Sequence, residues 1–191
     1  MARKLRTQVA DVIYHVTSRG VEKRNIFDVV TGDREFFLAL VQIVVDRYGW
    51  RVHVYCLMGN HFHLVVETPD ANLAAGMQFL KGQYAMWFNK VSGRAGTLFE
   101  RRYHSELAER EAHAYELFRY VVLNPVRANL CAHPRDWRSS SYAATVGIVR
   151  APPFLYLQGL HDLFGEGPRG IAVYERFVDD GLALLQLRSA A

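Results

Sequence analysis

Apolar positions recur along the chain in two rhythms, alternating and helical, and the breaks between them are sharp. Residues 11–18, Asp11-Val12-Ile13-Tyr14-His15-Val16-Thr17-Ser18, are rich in β-branched and aromatic residues and predict a strand, which Arg19-Gly20 and the polar stretch to Asn25 end. Phe37, Leu40, Val41, Val44 and Val45 then recur at helical spacing, predicting a helix capped by Asp33, running to Tyr48 and stopped by Gly49. Trp50–Leu57 and His61–Thr68 read as two strands joined at Met58-Gly59-Asn60. Leu73, Met77, Leu80, Tyr84 and Phe88 mark one face of a second helix, starting at Asp70 or Asn72 and reaching about Lys90. A glycine-rich loop, Ser92–Gly96, leads to a strand near Arg102–Ala108 and a helix from about Glu111 to Leu123. The order β-α-β-β-α-β-α predicts an α+β fold: a ferredoxin-like split βαβ core, a central antiparallel sheet and one extra helix. Such a sheet can carry helices on one face and keep the other for a site. No internal repeat is visible. Residues 150–155, with Pro152-Pro153, read as a linker to a tail with a helix around Ile171–Leu187, so the expected division is 1–149 and 150–191.

The third strand carries the densest chemistry. Side chains two apart on a strand share a face, so His61 and His63 present two imidazoles together while Phe62, Leu64 and Val66 point the other way. Paired imidazoles suit a divalent metal, although a His-x-His pair alone is more often structural. In the last core helix Tyr120 and Asn124 are four apart and share a face. The Asn124 amide oxygen is a candidate third ligand. Asn before Pro125 is equally a helix-capping arrangement, and a helical Tyr such as Tyr120 is commonly a core aromatic.

Charge sharpens the choice of partner. The 191 residues carry a net +4 and a pI near 9.2. Residues 151–191 hold three Arg against five Asp plus Glu, a net −2, which leaves +6 on residues 1–150. A basic body suits a polyanion. Arg19, Lys23, Arg24, Lys81, Arg94, Arg102 and Arg127 are the candidate phosphate contacts, interleaved with Tyr84, Trp87 and Phe99, which could stack on unpaired bases. The acidic tail reads either as a helix packed on the core or as a cover over the basic groove. Half the residues are hydrophobic and 22% are charged, which excludes a disordered chain. Cys56 and Cys131 form neither a disulfide framework nor a zinc pattern, and no apolar run is long enough to span a membrane. A cytoplasmic setting with no membrane partner is expected.

Taken in order, Tyr14–Gly20, Met58–Leu64, Lys81 with Tyr84, Gly93–Tyr103, Tyr120–Ala128 and Asp136–Tyr142 resemble the single-tyrosine HUH transposases, and within them the REP-associated tyrosine transposases. The resemblance implies that His61, His63 and Asn124 hold a divalent metal ion, Mg2+ or Mn2+. It implies that Tyr120 is the nucleophile, cleaving single-stranded DNA beside a REP-like hairpin through a 5′-phosphotyrosine and rejoining strands. It implies a monomer or homodimer. Glu100-Arg101 and Tyr103-His104 depart from the family pattern, where Gln-Gly and Phe-Lys are frequent. Two other readings share these residues: a replication-initiator or relaxase-type HUH nuclease, and a DNA-binding regulator with vestigial catalytic groups.

Overall fold

The computed structural model describes residues 8–108 and 111–189. Strands β1 (Val12–Arg19), β2 (Arg51–Leu57), β3 (His61–Thr68) and β4 (His104–Leu107) form one sheet in the order β2-β3-β1-β4, every neighbouring pair antiparallel. This is the expected split βαβ arrangement. Helices α1 (Asp33–Tyr48) and α2 (Leu73–Ser92) cover one face. There Phe62, Leu64 and Val66 of β3 join Tyr14 and Val16 of β1 in a core with Phe37, Leu40, Val41, Met77, Leu80 and Tyr84. The alternation of His61-Phe62-His63-Leu64 favours this register, because a slip of one residue would bury both imidazoles under the helices.

Local chemistry sets the element ends. Gly49 closes α1 in the left-handed region (φ 68°), where its N–H reaches the Val45 carbonyl at 2.9 Å, a conformation costly for a residue with a Cβ. Asp33 does not cap the helix as expected. It is the first residue of α1, almost fully buried, and its carboxylate accepts the backbone N–H groups of Val29 and Val30 at 2.9 and 3.0 Å. It therefore ties down the loop before α1, leaving the helix start to Gly32. Gly76 of α2 lies against the Trp50 indole, with no space for a Cβ, while Trp50 Nε1 donates to Asn72 Oδ1 at 2.8 Å.

The second sheet face is largely closed by the later helices, and one end of it is kept for a site. Helix α3 (Glu111–Val122), the single turn α4 (Asn124–Arg127), then α5 (Tyr142–Thr145), α6 (Gln158–Phe164) and α7 (Gly167–Ser189) lie on that side. Val54, Cys56 and Val65 of the sheet pack there with Leu117, Phe118, Val121, Tyr142, Leu160, Phe164, Tyr174 and Val178. The Pro152-Pro153 stretch is fastened down, with Phe154 and Leu155 buried and the Tyr156 N–H donating to the Val52 carbonyl at 2.8 Å. It thereby covers the outer edge of β2, whose unpaired backbone groups would otherwise invite another strand. Among the described residues no helix is long and apolar enough to cross a membrane.

Candidate active site

One end of the second face stays open, where β1 and β3 run out beyond the reach of α6 and α7. The ladder places Arg19 opposite His61 and Thr17 opposite His63, and β4 places His104 opposite Thr17. Tyr120 and Asn124 come over this end from α3 and α4. Thr17, Arg19, His61, His63, Glu100, Arg101, Arg102, His104, Tyr120 and Asn124 line one open cavity of about 400 Å³. The four residues singled out for metal binding and attack on phosphate thus converge from elements more than fifty residues apart in sequence.

The two histidines differ in setting. His61 is half-buried, whereas His63 is only 6% exposed. Asn60 Nδ2 donates to the Lys23 carbonyl at 3.0 Å, which identifies Oδ1 as the atom 2.6 Å from His61 Nδ1. Oδ1 can only accept, so His61 carries its proton on Nδ1 and presents the Nε2 lone pair. His63 Nδ1 lies 2.9 Å from Nε2 of His15 on the neighbouring strand, and His63 Nε2 is buried without a hydrogen-bond partner. Burial, reinforced by Arg19, lowers the pKa of His61 to about 4. Burial, with His15, His61 and Arg19 around it, holds His63 well below the ordinary range. Both rings are therefore neutral near pH 7, the form that ligates a metal.

Asn124 fits the same purpose for a local reason. Pro125 has no N–H for the Val121 carbonyl four residues earlier; Asn124 Nδ2 reaches that carbonyl at 3.4 Å and donates to the Tyr120 carbonyl at 2.9 Å. The helix-capping arrangement expected at Asn124-Pro125 is not formed, since Leu123 precedes α4 without a side-chain cap; the Asn124 amide nitrogen instead donates back to the end of α3 and leaves Oδ1 uncommitted. Among the described residues no three His, Cys, Asp or Glu side chains gather around a cation-sized space. The ligand set that the resemblance implies takes its third donor from the Asn124 amide, and the orphaned buried Nε2 of His63 is chemically suited to such an ion.

Tyr120 is 37% exposed, with its ring centroid 5.7 Å from His15 and 6.1 Å from His63. The Arg127 guanidinium stands over its ring at 4.7 Å. Other tyrosines are committed elsewhere. Tyr84 is fully buried and donates to the Ile26 carbonyl, and burial pushes its hydroxyl well above the ordinary range. Tyr115 donates to the Leu163 carbonyl and packs on Phe164.

Of the basic candidates, Arg19 and Arg102 line the cavity, joined by Arg101, and Arg127 flanks the tyrosine. Lys23 ends a short 3-10 turn near Asn60 and Arg24 follows it, paired with Glu22 at 2.5 Å. Lys81 lies on α2 outside this cavity, bonded to the Arg101 carbonyl at 2.8 Å and over the Phe99 ring. Arg94, in the loop after α2, is also outside it. Glu100 and His104 do line the cavity, Glu100 3.2 Å from Arg101, so the segment that departs from the family pattern is part of the site wall. Sequence reasoning passed over His15 and Asn60 as site residues. The signal for Asn60 was its place before His61, and for His15 its even spacing from Thr17 and Arg19.

Comparison with known proteins places this geometry. A structure of a REP-associated tyrosine transposase bound to a REP hairpin superposes with a TM-score of 0.65 at 15% identity, covering 81% of this chain and 90% of that one. A crystal structure of a Deinococcus radiodurans R1 protein described as a transposase candidate gives a TM-score of 0.43 at 17% identity, over 62% of this chain and 95% of that one, too slight a likeness to argue from. No curated protein sequence matches. The family model described as "Transposase IS200 like" matches residues 8–124, a span that includes all of β1–β4, His61, His63, Tyr120 and Asn124. The chain belongs to the IS200-like transposase family.

Proposed function

We propose that the protein is a REP-associated-type HUH transposase, which cleaves single-stranded DNA beside a hairpin through a phosphotyrosine and rejoins the strands. The observation that carries this reading is the convergence of a half-exposed Tyr120 with two neutral imidazoles and an uncommitted amide oxygen in one open cavity walled by Arg19, Arg101 and Arg102. The fold likeness to a tyrosine transposase holding a REP hairpin supports the choice of substrate.

The arginines draw the backbone of the strand into the cavity by charge. A divalent ion, Mg2+ or Mn2+, when bound by His61, His63 and Asn124, would polarise the scissile phosphate. The Tyr120 oxygen attacks phosphorus in line; a tyrosine–phosphate bond forms to the 5′ side, the bond to the 3′ oxygen breaks, and that oxygen leaves as a hydroxyl. The phenol loses its proton in the step, a demand that a free phenol titrating near 10 meets poorly at neutral pH without such help. A 3′ hydroxyl attacking the phosphotyrosine reverses the step and restores Tyr120, so rejoining needs no nucleotide hydrolysis. Residues 1–149 would form the transposase domain and 150–191 a linker and helical tail whose Leu160, Phe164, Tyr174 and Val178 pack into the second core. The free thiols Cys56 and Cys131 suit action in the cytoplasm.

Incubation of the protein with Mn2+ and a single-stranded hairpin oligonucleotide, followed by a denaturing gel, tests the reading. Wild type should give a covalent protein–DNA adduct and a fragment with a free 3′ hydroxyl, while Tyr120→Phe should bind DNA and give neither. An adduct that persists in Tyr120→Phe, mapping to Tyr84 or Tyr115, would overturn it.

A further inference from the structure

His15 and His63 share one proton across the β1–β3 ladder, and which ring donates decides whether His63 can act as a ligand. The contact joins His15 Nε2 and His63 Nδ1 at 2.9 Å, with the ring planes only 11° apart, so each lone pair or N–H lies in the plane of the other ring. If His15 donates, His63 Nδ1 is the acceptor and its proton sits on Nε2. That atom is buried and has no partner, so a buried N–H would be left unsatisfied. If His63 donates, Nε2 carries a lone pair instead, on a residue that lines the cavity shared with Tyr120 and Asn124.

We propose that His15 is a positioning residue that accepts the Nδ1–H of His63 and holds it in the tautomer whose Nε2 faces the catalytic cavity. His15 then keeps its own proton on Nδ1. It lines a second cavity of about 410 Å³, together with Glu106, His113, Arg119, Tyr120 and Arg127, and Glu106 stands directly opposite it on β4. His15 thus stands beside the Tyr120 ring, 5.7 Å between centroids, but does not line the cavity that holds His61, His63 and Asn124. The two imidazoles of the His61-Phe62-His63 segment are set by different neighbours to the same outcome: Asn60 takes the Nδ1–H of His61 and His15 that of His63. Each Nε2 is left free, as paired ligands on one face require.

This inference rests on the reading of His63 as a metal ligand, but its first test is independent of metal and of DNA. Long-range proton–nitrogen correlation spectra of the metal-free protein, labelled at histidine, report which nitrogen of His63 is protonated. Wild type should show His63 with the proton on Nδ1 and an unprotonated Nε2. His15→Phe keeps a ring of similar size in the β1 position and removes the acceptor, so the signal should shift toward the Nε2–H form. His15→Gln, which offers a carbonyl oxygen, should restore Nδ1–H. Calorimetric titration with Mn2+ alone should then follow the tautomer, with His15→Phe weakened about 10–100-fold and His15→Gln closer to wild type. A wild-type His63 protonated on Nε2, or a folded His15→Phe that binds Mn2+ as tightly as wild type, would overturn the proposal. Nδ1–H on His63 that responds to His15 as stated, in a protein that takes up no Mn2+, would support the positioning role and reject the metal-dependent reaction instead. If His15→Phe unfolds, His15→Gln and wild type still decide the point through the tautomer spectrum.

Discussion

Asn124 offers the sharpest test, because two of its atoms do two jobs and substitutions separate them. Its Nδ2 donates to the Tyr120 carbonyl and to the Val121 carbonyl, the one Pro125 leaves without a helical partner, and its Oδ1 is the proposed ligand. Asn124→Ala removes both. The loss of a hydrogen bond to a helix end that water can reach should cost about 0.5–1.5 kcal/mol. Asn124→Asp keeps the ligand oxygen and adds charge to it, but replaces the donor with an anion beside two carbonyl oxygens at the C-terminal end of α3. Repulsion and the unfavourable helix dipole add to the lost bond, giving about 2 kcal/mol and a fall in Tm of about 4–8 °C for a chain of this size. The stability order is therefore wild type, Ala, Asp, while the order of Mn2+ affinity and DNA cleavage is wild type and Asp together, then Ala. Thermal unfolding of the metal-free proteins, paired with Mn2+ titration and a cleavage gel, reads both orders. A single shared order, with Asp poorest in every assay, would refute the division of labour between Nδ2 and Oδ1.

The other expectations concern the wider site and the fold. His61→Ala and His63→Ala should both abolish metal-dependent cleavage. His63→Ala should also lower stability by about 1–3 kcal/mol more, because it strands the buried His15 nitrogen; equal melting curves would contradict that. The Glu67 carboxylate accepts from His53 and pairs with Arg51 at 2.5 Å, which lowers its pKa below the ordinary 4.5. Its contribution is whole above that pH and is lost as pH falls through the lowered value. Glu67→Gln should therefore be less stable than wild type at pH 7 and should converge with it in acid; a constant gap across the acid limb would argue against the ion pair. Truncation after Val149 removes the buried side chains of Leu160, Phe164, Tyr174 and Val178. At about 1.5–3 kcal/mol each, they account for much of a domain's stability, so the truncated chain should aggregate or fail to melt cooperatively. A soluble, cooperatively folded truncation that cleaves DNA faster would instead make the tail a removable cover.

The elements and the candidate site pairs were legible in the sequence. Periods of two and 3.6 are local, so the alternation of His61–Thr68 and the helical spacing of Phe37 to Val45 and Leu73 to Phe88 name both the element and its buried face. The same locality made His61 with His63, and Tyr120 with Asn124, legible as pairs. Tertiary structure alone decided how those pairs meet and what supports them. The pairing of His15 with His63 depends on the β1–β3 register across 48 residues, and no local pattern encodes it. Asp33 looked like a helix cap because Asp at such a boundary often is one, but a carboxylate takes whichever N–H groups the fold brings to it, and here they belong to the preceding loop. The Pro152-Pro153 stretch looked like a free linker because prolines end regular structure; its neighbours Phe154 and Leu155 are buried because the edge of β2 was available to them. Lys81 and Arg94 carry the same charge as Arg19 and Arg102, but only the fold decides which of them stand at the cavity. Periodicity tells a side chain which way to face, and long-range packing decides what it faces.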